Sequence, residues 1–427
     1  MELNFSINSN LKSYIINILK ETKKEIYIMH YQIDDIDIIK EINLLVNNIG
    51  VNIIVNYSNY ILLKKLLHKK CNLYFIKNML FHHKTILIDG HIIITGSYNL
   101  HVNSVTGSDM EYIIKLGNQY NLVLYHKNIF ESYIKNINLV KEFSEENNII
   151  ERVWYSKYTN ILEKILFYID TAKEFIIIMH FWLTSKVILD KLIEKSKITN
   201  IEIKILLDKR SFERDIEQYN NFNAVEYLYI NKINVKIIDT KLFHYKVILI
   251  DKNLVLLGSQ NRYDVAFKNH YEDIWLIKSN EFNKIFIEHY NWLLNNHNCY
   301  SYKEWELNLF CNKNKINKKN ICIVGSHLLS KLKLRESNDI DFILITKERD
   351  RLKLPKNNKS CGKYIEVVSY NWHPTIKDDD LIQNSDYHDV LPNSFKICKL
   401  QMLIDKKKKH NREKDKQDLK LIESLKT

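Results

Sequence analysis

Proline is absent from this chain until Pro355, and the other two prolines, Pro374 and Pro392, follow it. That shift in composition places a domain boundary near 300–320. Cysteine is scarce as well. The six, Cys71, Cys299, Cys311, Cys322, Cys361 and Cys398, include no C-x-x-C pair. This excludes a paired-cysteine zinc site and a disulfide framework, and it points to a reducing compartment. Long apolar runs are missing too. Stretches such as 175–183 are far too short to span a bilayer. The opening Met1-Glu2-Leu3-Asn4 has neither a basic leader nor the Met-Gly start that myristoylation requires. The expectation is a soluble, cytoplasmic protein without a transmembrane segment. With 427 residues and 45% hydrophobic content, the chain has material for two or three cored domains.

Charge is unevenly spread. The net is +12, and residues 301–427 hold 27 Lys+Arg against 18 Asp+Glu. The last third therefore carries +9 and the first 300 residues only +3. Basicity of this kind suits a polyanionic partner, although a solvated surface is the plain alternative.

One stretch stands out, Phe81-His82-His83-Lys84 through Asp89, followed by Gly96-Ser97-Tyr98-Asn99. It recurs as Phe243-His244-Tyr245-Lys246 through Asp251, followed by Gly258-Ser259-Gln260-Asn261. Both copies read H-x-K-x4-D-x6-G-S-x-N. The apolar runs 85–88 and 92–94 predict two buried strands joined by a turn at Asp89-Gly90. Residues two apart on a strand share a face, so His82 points with Lys84 and His244 with Lys246. A lone His in an apolar run is usually a core residue; two identical copies argue otherwise. Facing each other, they supply imidazoles, ammonium groups and amides around one phosphodiester.

The repeated pattern resembles the tandem HKD motif of the phospholipase D superfamily. The resemblance implies a duplicated, two-lobed α/β sandwich and a metal-independent phosphodiesterase. One His attacks phosphorus and becomes a phosphohistidine; the other protonates the leaving oxygen. It assigns His82 as nucleophile and His244 as acid, though symmetry permits the reverse. Lys84, Lys246, Asn99 and Asn261 would hold phosphoryl oxygens. Glu111 and Glu272, which follow the histidines by 29 and 28 residues, would hydrogen-bond the catalytic rings. Asp89, Asp251, Ser97 and Ser259 would support the motif.

The duplication extends outward. Helix-like 10–24 and strand-like 25–30 match 160–174 and 175–180 at an offset of 150 residues, whereas the HKD copies align at 162. The expected halves are 1–145 and 146–300, joined by polar 141–151. His30 and His180 read as structural strand-end residues. The second half holds twelve extra residues within 208–232, including Lys209, Arg210 and Arg214. That insertion is expected to cover the pocket and select substrate.

Residues 301–320 read as a polar basic linker, and 321–427 as a separate α+β domain. Within it, Asp339 and Asp341 share one strand face, and Glu366 adds a carboxylate from a neighbouring strand. Three converging carboxylates could hold Mg²⁺, and the Gly325-Ser326 turn could bind phosphate through N–H groups. This arrangement resembles the minimal nucleotidyltransferase domain of the DNA polymerase beta superfamily. It implies a nucleoside triphosphate substrate. Residues 412–422 resemble the helix that closes such domains, while His327-Leu328-Leu329 stands where many relatives carry small residues. The four-lysine run 406–409 solvates a helix end or contacts phosphates. A nucleic-acid substrate is favoured. Phospholipid hydrolysis or transfer of the cardiolipin synthase kind is the alternative, and a non-enzymatic polyanion scaffold the third reading.

Overall fold

The computed structural model describes residues 1–137, 142–145, 148–199, 201–212 and 223–426. The chain divides into two compact units, Met1–Trp292 and Leu293–Thr427. Residues 213–222 of the stretch expected to cover the pocket, Arg214 among them, lie outside the described residues.

In the first half, helix Leu11–Glu21 buries Leu11, Ile15, Ile18 and Leu19, and Asn10 caps its start by accepting from the Ser13 N–H at 3.0 Å. The strands of this half are β1 (Glu2–Phe5), β2 (Glu25–His30), β3 (Gly50–Asn56), β4 (Asn72–Ile76), β5 (Leu80–Phe81), β6 (Lys84–Ile88), β7 (Ile92–Gly96) and β8 (Tyr112–Leu116). Their sheet runs β1-β8-β7-β6-β2-β3-β4. Helix Tyr120–Lys135 packs against β2, β6 and β7. Every residue of β6 is buried, as a central strand covered on both faces requires.

The second half repeats this plan. Its strands are β9 (Glu142–Ser144), β10 (Ile150–Tyr155), β11 (Phe175–His180), β12 (Glu202–Asp208), β13 (Asn234–Ile238), β14 (Lys246–Ile250), β15 (Leu254–Gly258), β16 (His270–Tyr271) and β17 (Asp273–Lys278). They run β13-β12-β11-β14-β15-β17-β10-β9, the first half's order with β9 added. Part of the stretch expected to join the halves is thus a sheet strand. The halves are stitched together beside the motifs. β5 pairs with β16 in parallel, Leu80 opposite His270 and Phe81 opposite Tyr271. On the other side Met110 bridges Phe243.

In the second unit, the stretch 301–320 is not a linker throughout. It holds helix Tyr302–Lys313, opened by a capping box between Ser301 and Glu304, and a 3-10 turn Lys318–Asn320. Trp305, Leu307 and Cys311 are buried on that helix, an apolar contribution hidden beside the polar run that follows. After β18 (Cys299–Ser301) come β19 (Ile321–Val324), β20 (Ile340–Leu344), β21 (Lys359–Ser360), β22 (Ile365–Val367), β23 (His388–Val390) and β24 (Lys396–Cys398). β19 to β24 form a mixed sheet ordered β21-β22-β20-β19-β24-β23. Among the described residues no helix is long and apolar enough to cross a membrane.

Candidate active site

The stitching between halves builds the site. The His82 N–H donates to the Tyr271 carbonyl at 3.0 Å, and the His244 N–H donates to the Met110 carbonyl at 3.0 Å. Each histidine is thereby held beside the strand end of the opposite half. His82 Nδ1 lies 2.9 Å from Glu272 Oε2, and His244 Nδ1 lies 2.9 Å from Glu111 Oε1. The carboxylates are exchanged between halves. Ser97 donates to Glu111 and Ser259 to Glu272, so each motif's own serine holds the carboxylate that serves the other motif's histidine. A carboxylate on Nδ1 keeps the proton there and leaves the Nε2 lone pair for chemistry.

Lys84 Nζ lies 3.1 Å from His82 Nε2 and donates to the His82 carbonyl at 2.9 Å; Lys246 donates to the His244 carbonyl at 3.0 Å. Both lysines are fully buried. Asn99 Oδ1 and Asn261 Oδ1 are buried without a hydrogen-bond partner. His30 and His180, at strand ends, stand in register with Lys84 and Lys246 on the adjoining strands.

The turn glycines are required by close approach. A Cβ on Gly96 would stand 2.2 Å from the Tyr112 carbonyl oxygen, and one on Gly258 2.2 Å from that of Asp273. Asp89 and Asp251 lie at the far end of the hairpin strands from the lysines, in left-handed backbone with φ 52° and 50°. The Asp89 carboxylate accepts the N–H groups of Lys23, Lys24 and Glu25, and Asp251 those of Lys173, Glu174 and Phe175. They order the entry to β2 and β11, away from the histidines.

A family model described as "Cardiolipin synthase, PLD-like domain" matches residues 15–134 and 165–294. The chain belongs to this phospholipase D-like family. Membership places it among the phospholipase D-superfamily phosphodiesterases. Its fold is similar to that of phosphatidylserine synthase from Haemophilus influenzae Rd KW20, with TM-score 0.53 and 12% identity over 67% of this chain and 84% of that one. It is also similar to polyphosphate kinase from Porphyromonas gingivalis, with TM-score 0.52 and 14% identity over 67% of this chain and 46% of that one. The phospholipase D family member Nuc from Salmonella typhimurium aligns over 35% of this chain and 95% of its own, at 25% identity and TM-score 0.32. No curated protein matches the sequence.

Electrostatics distinguish the two dyads of this phospholipase D-like site. Burial pushes the His82 ring down to about 3 and His244 well below the usual histidine range, so both rest as neutral imidazoles. Burial lowers Lys84 to about 8 and Lys246 well below its ordinary value. It raises Glu111 to about 8. Glu272 is equally buried, yet its close pairing with His82 and the hydrogen bond from His270 hold it below the usual carboxylate range. His270 Nδ1 lies 3.4 Å from Glu272 Oε1, whereas the corresponding residue of the first half is Asp109.

Three further features escape sequence reading. His83 Nδ1 lies 2.7 Å from Asp273 Oδ1, and its Nε2 lies 2.7 Å from the Tyr133 hydroxyl. The matching residue of the second motif, Tyr245, bonds His289 at 2.9 Å. The middle residue of each HxK thus locks packing and takes no part in the pairs that His82 forms with Glu272 and His244 with Glu111. The third is the buried Arg262 next to Asn261.

In the second unit, Asp341 and Glu366 stand in register on β20 and β22. Gly325, at φ 73°, packs against the Asp341 carboxylate, where a Cβ would stand 2.4 Å from Oδ2. Burial, then the charges of Asp339 and Glu366, raise Asp341 to about 7. Glu366 accepts from Asn358 Nδ2. Among the described residues no group of three or more His, Cys, Asp or Glu side chains is placed to hold a metal ion. The expected set of Asp339, Asp341 and Glu366 is not among such groups: Asp339 precedes the strand, while Asp341 and Glu366 stand side by side on neighbouring strands. Magnesium commonly takes one or two carboxylates, with phosphates and water completing its shell. Asp341 with Glu366 fits that smaller demand.

Proposed function

We propose that residues 1–292 cleave or transfer a phosphodiester of nucleic acid through a phosphohistidine. The observation that carries this reading is the pair of buried histidines, each held at Nδ1 by the carboxylate of the opposite half. His82 Nε2 attacks phosphorus as the bond to the leaving oxygen breaks, and His244, which takes up a proton at Nε2 once the anionic substrate lies beside it, gives that oxygen this proton. His244 then takes a proton from water or an acceptor hydroxyl, whose oxygen displaces His82. Lys84, Lys246, Asn99 and Asn261 surround the phosphoryl oxygens, and no metal takes part.

A surface beside the motif supports nucleic acid over lipid. Asn56 Oδ1 accepts the Phe81 N–H at 3.1 Å, so Tyr57 starts its helix close to His82. Tyr57 and Phe75 are 37% and 40% exposed, with ring centroids 5.1 Å apart. Lys77 Nζ lies 5.4 Å from the Tyr57 ring centroid and Lys64 Nζ 5.9 Å from that of Tyr60. Exposed rings flanked by cations suit stacking of unpaired bases. The test is turnover of a labelled single-stranded oligonucleotide beside a labelled phospholipid, each with and without EDTA. Oligonucleotide cleavage that survives EDTA and vanishes in His82→Ala is expected; turnover of lipid alone would overturn the substrate assignment.

A second reading concerns residues 321–427. The register of Asp341 with Glu366 beside Gly325 supports nucleotidyl transfer from a nucleoside triphosphate. Magnesium held by those two carboxylates would neutralise triphosphate charge. Transfer of label from nucleoside triphosphates to RNA, DNA or protein, abolished in the Asp339→Ala, Asp341→Ala double variant, is the expected result. No transfer to any acceptor would reduce this unit to a structural or substrate-retaining role.

A further inference from the structure

Positions 100 and 262 are duplicates in backbone and opposites in chemistry. The Leu100 N–H donates to the Gln32 carbonyl, and the Leu100 carbonyl accepts from Asp34 and Asp35. The Arg262 N–H donates to the Trp182 carbonyl, and the Arg262 carbonyl accepts from Thr184 and Ser185. Leu100 belongs to the apolar core of the first half. Arg262 occupies the same place in the second half and is only 1% exposed.

Two of its three guanidinium nitrogens are unspent. Nε and Nη1 have no hydrogen-bond partner. Burial lowers the group to about 9, with only the Tyr112 hydroxyl acting in the opposite sense, and no carboxylate of the described residues stands against it. A buried cation without an anion is unfavourable, and buried arginines are normally paired. Other polar atoms beside it are idle too: Ser185 Oγ, Gln260 Oε1 and Asn261 Oδ1. The cluster adjoins the second motif. After burial, the Arg262 charge is the largest influence lowering His180, and it also lowers Lys246.

We propose that Arg262, with Ser185 and Gln260 around it, forms a second anion subsite next to the HKD centre. It takes a phosphate of the substrate other than the scissile one. The proposal rests on the phosphodiesterase reading for the neighbouring scissile phosphate, and it narrows the substrate to molecules with two nearby phosphates, such as consecutive nucleotides. Guanidinium donors in a planar fork match phosphate oxygens, and the desolvated surroundings strengthen the contact. The first half, with Leu100, offers no such subsite, so substrate would be bound in one direction across the two motifs.

The test compares a one-phosphate and a two-phosphate substrate in the full-length protein. Bis(4-nitrophenyl) phosphate carries the scissile group alone. Thymidine 3′-phosphate 5′-(4-nitrophenyl phosphate) adds a second phosphate. Arg262→Leu restores the residue that the duplicate position tolerates, which protects the fold. It is expected to lower kcat/KM on the two-phosphate compound about 10- to 100-fold more than on the other, mainly through KM, as loss of a charge-assisted contact does. Arg262→Lys should recover part of that difference. Equal losses on both compounds, or none, would overturn the subsite while leaving the phosphodiesterase reading intact. Inorganic pyrophosphate supplies a readout without turnover: it should raise the melting temperature of the wild type and not of Arg262→Leu. If the wild type hydrolyses neither compound, the phosphodiesterase reading fails. If pyrophosphate shifts both proteins equally or neither, the subsite fails.

Discussion

Glu272→Gln is the perturbation that tests the exchanged dyads most directly. The substitution keeps the size of the side chain and an oxygen that can face His82 Nδ1, at present 2.9 Å from the carboxylate. What it removes is a full negative charge beside a ring that becomes cationic or phosphorylated during the reaction. Two unit charges about 4 Å apart interact by about 4 kcal/mol at an effective dielectric of 20. Glu272 and His82 are both buried, so bulk screening does little to reduce this. If the charge acts mainly in the transition state, kcat should fall by about 10³-fold, at about 1.4 kcal/mol per decade. Single-turnover cleavage of a labelled oligonucleotide reads the chemical step without product release. KM should move little, because the ground-state imidazole is neutral. The location of Glu272 sharpens the test: it belongs to the second half, yet its loss should cripple the first half's histidine. A loss under about tenfold, with native circular dichroism, would refute the view that this carboxylate supports His82 in catalysis.

Other expectations follow from particular contacts. Asp89→Ala removes the acceptor of three strand-entry N–H groups and should cost about 2–3 kcal/mol in urea unfolding, with Asp89→Asn costing less. In the second unit, Asp341 is raised from 3.8 to about 7, so its folded form holds a proton that the unfolded chain has lost. That contribution is fully present below about pH 4 and is lost as pH rises through about 7. Asp341→Asn should flatten the pH dependence and raise the melting temperature at pH 8; an unchanged profile would count against the buried-carboxylate account. Replacing Tyr57 and Phe75 by Ala should weaken single-stranded oligonucleotide binding about tenfold or more, read by fluorescence anisotropy. Unchanged affinity would remove the stacking surface from the case for nucleic acid.

Local patterns made much of this molecule legible without coordinates. His82 and Lys84 sit two apart on one strand face, and helix Leu11–Glu21 shows its apolar stripe in the spacing of Leu11, Ile15, Ile18 and Leu19. The offset of 150 residues predicted a duplicated sheet, and the two halves have the same strand order. These are short-range properties, set by the periods of strands and helices and by repetition. The partner of His82 was not legible, because Glu272 lies 190 residues away and only the parallel pairing of β5 with β16 brings it across. Nor did the polar run 312–320 reveal that a helix with buried Trp305 precedes it. Arg262 shows the difference most plainly. In the sequence it is one basic residue after a motif; in the fold it replaces a core leucine and loses its solvent. Composition and spacing report what a side chain is, but burial and pairing depend on which distant segments meet it, and only the packed chain decides that.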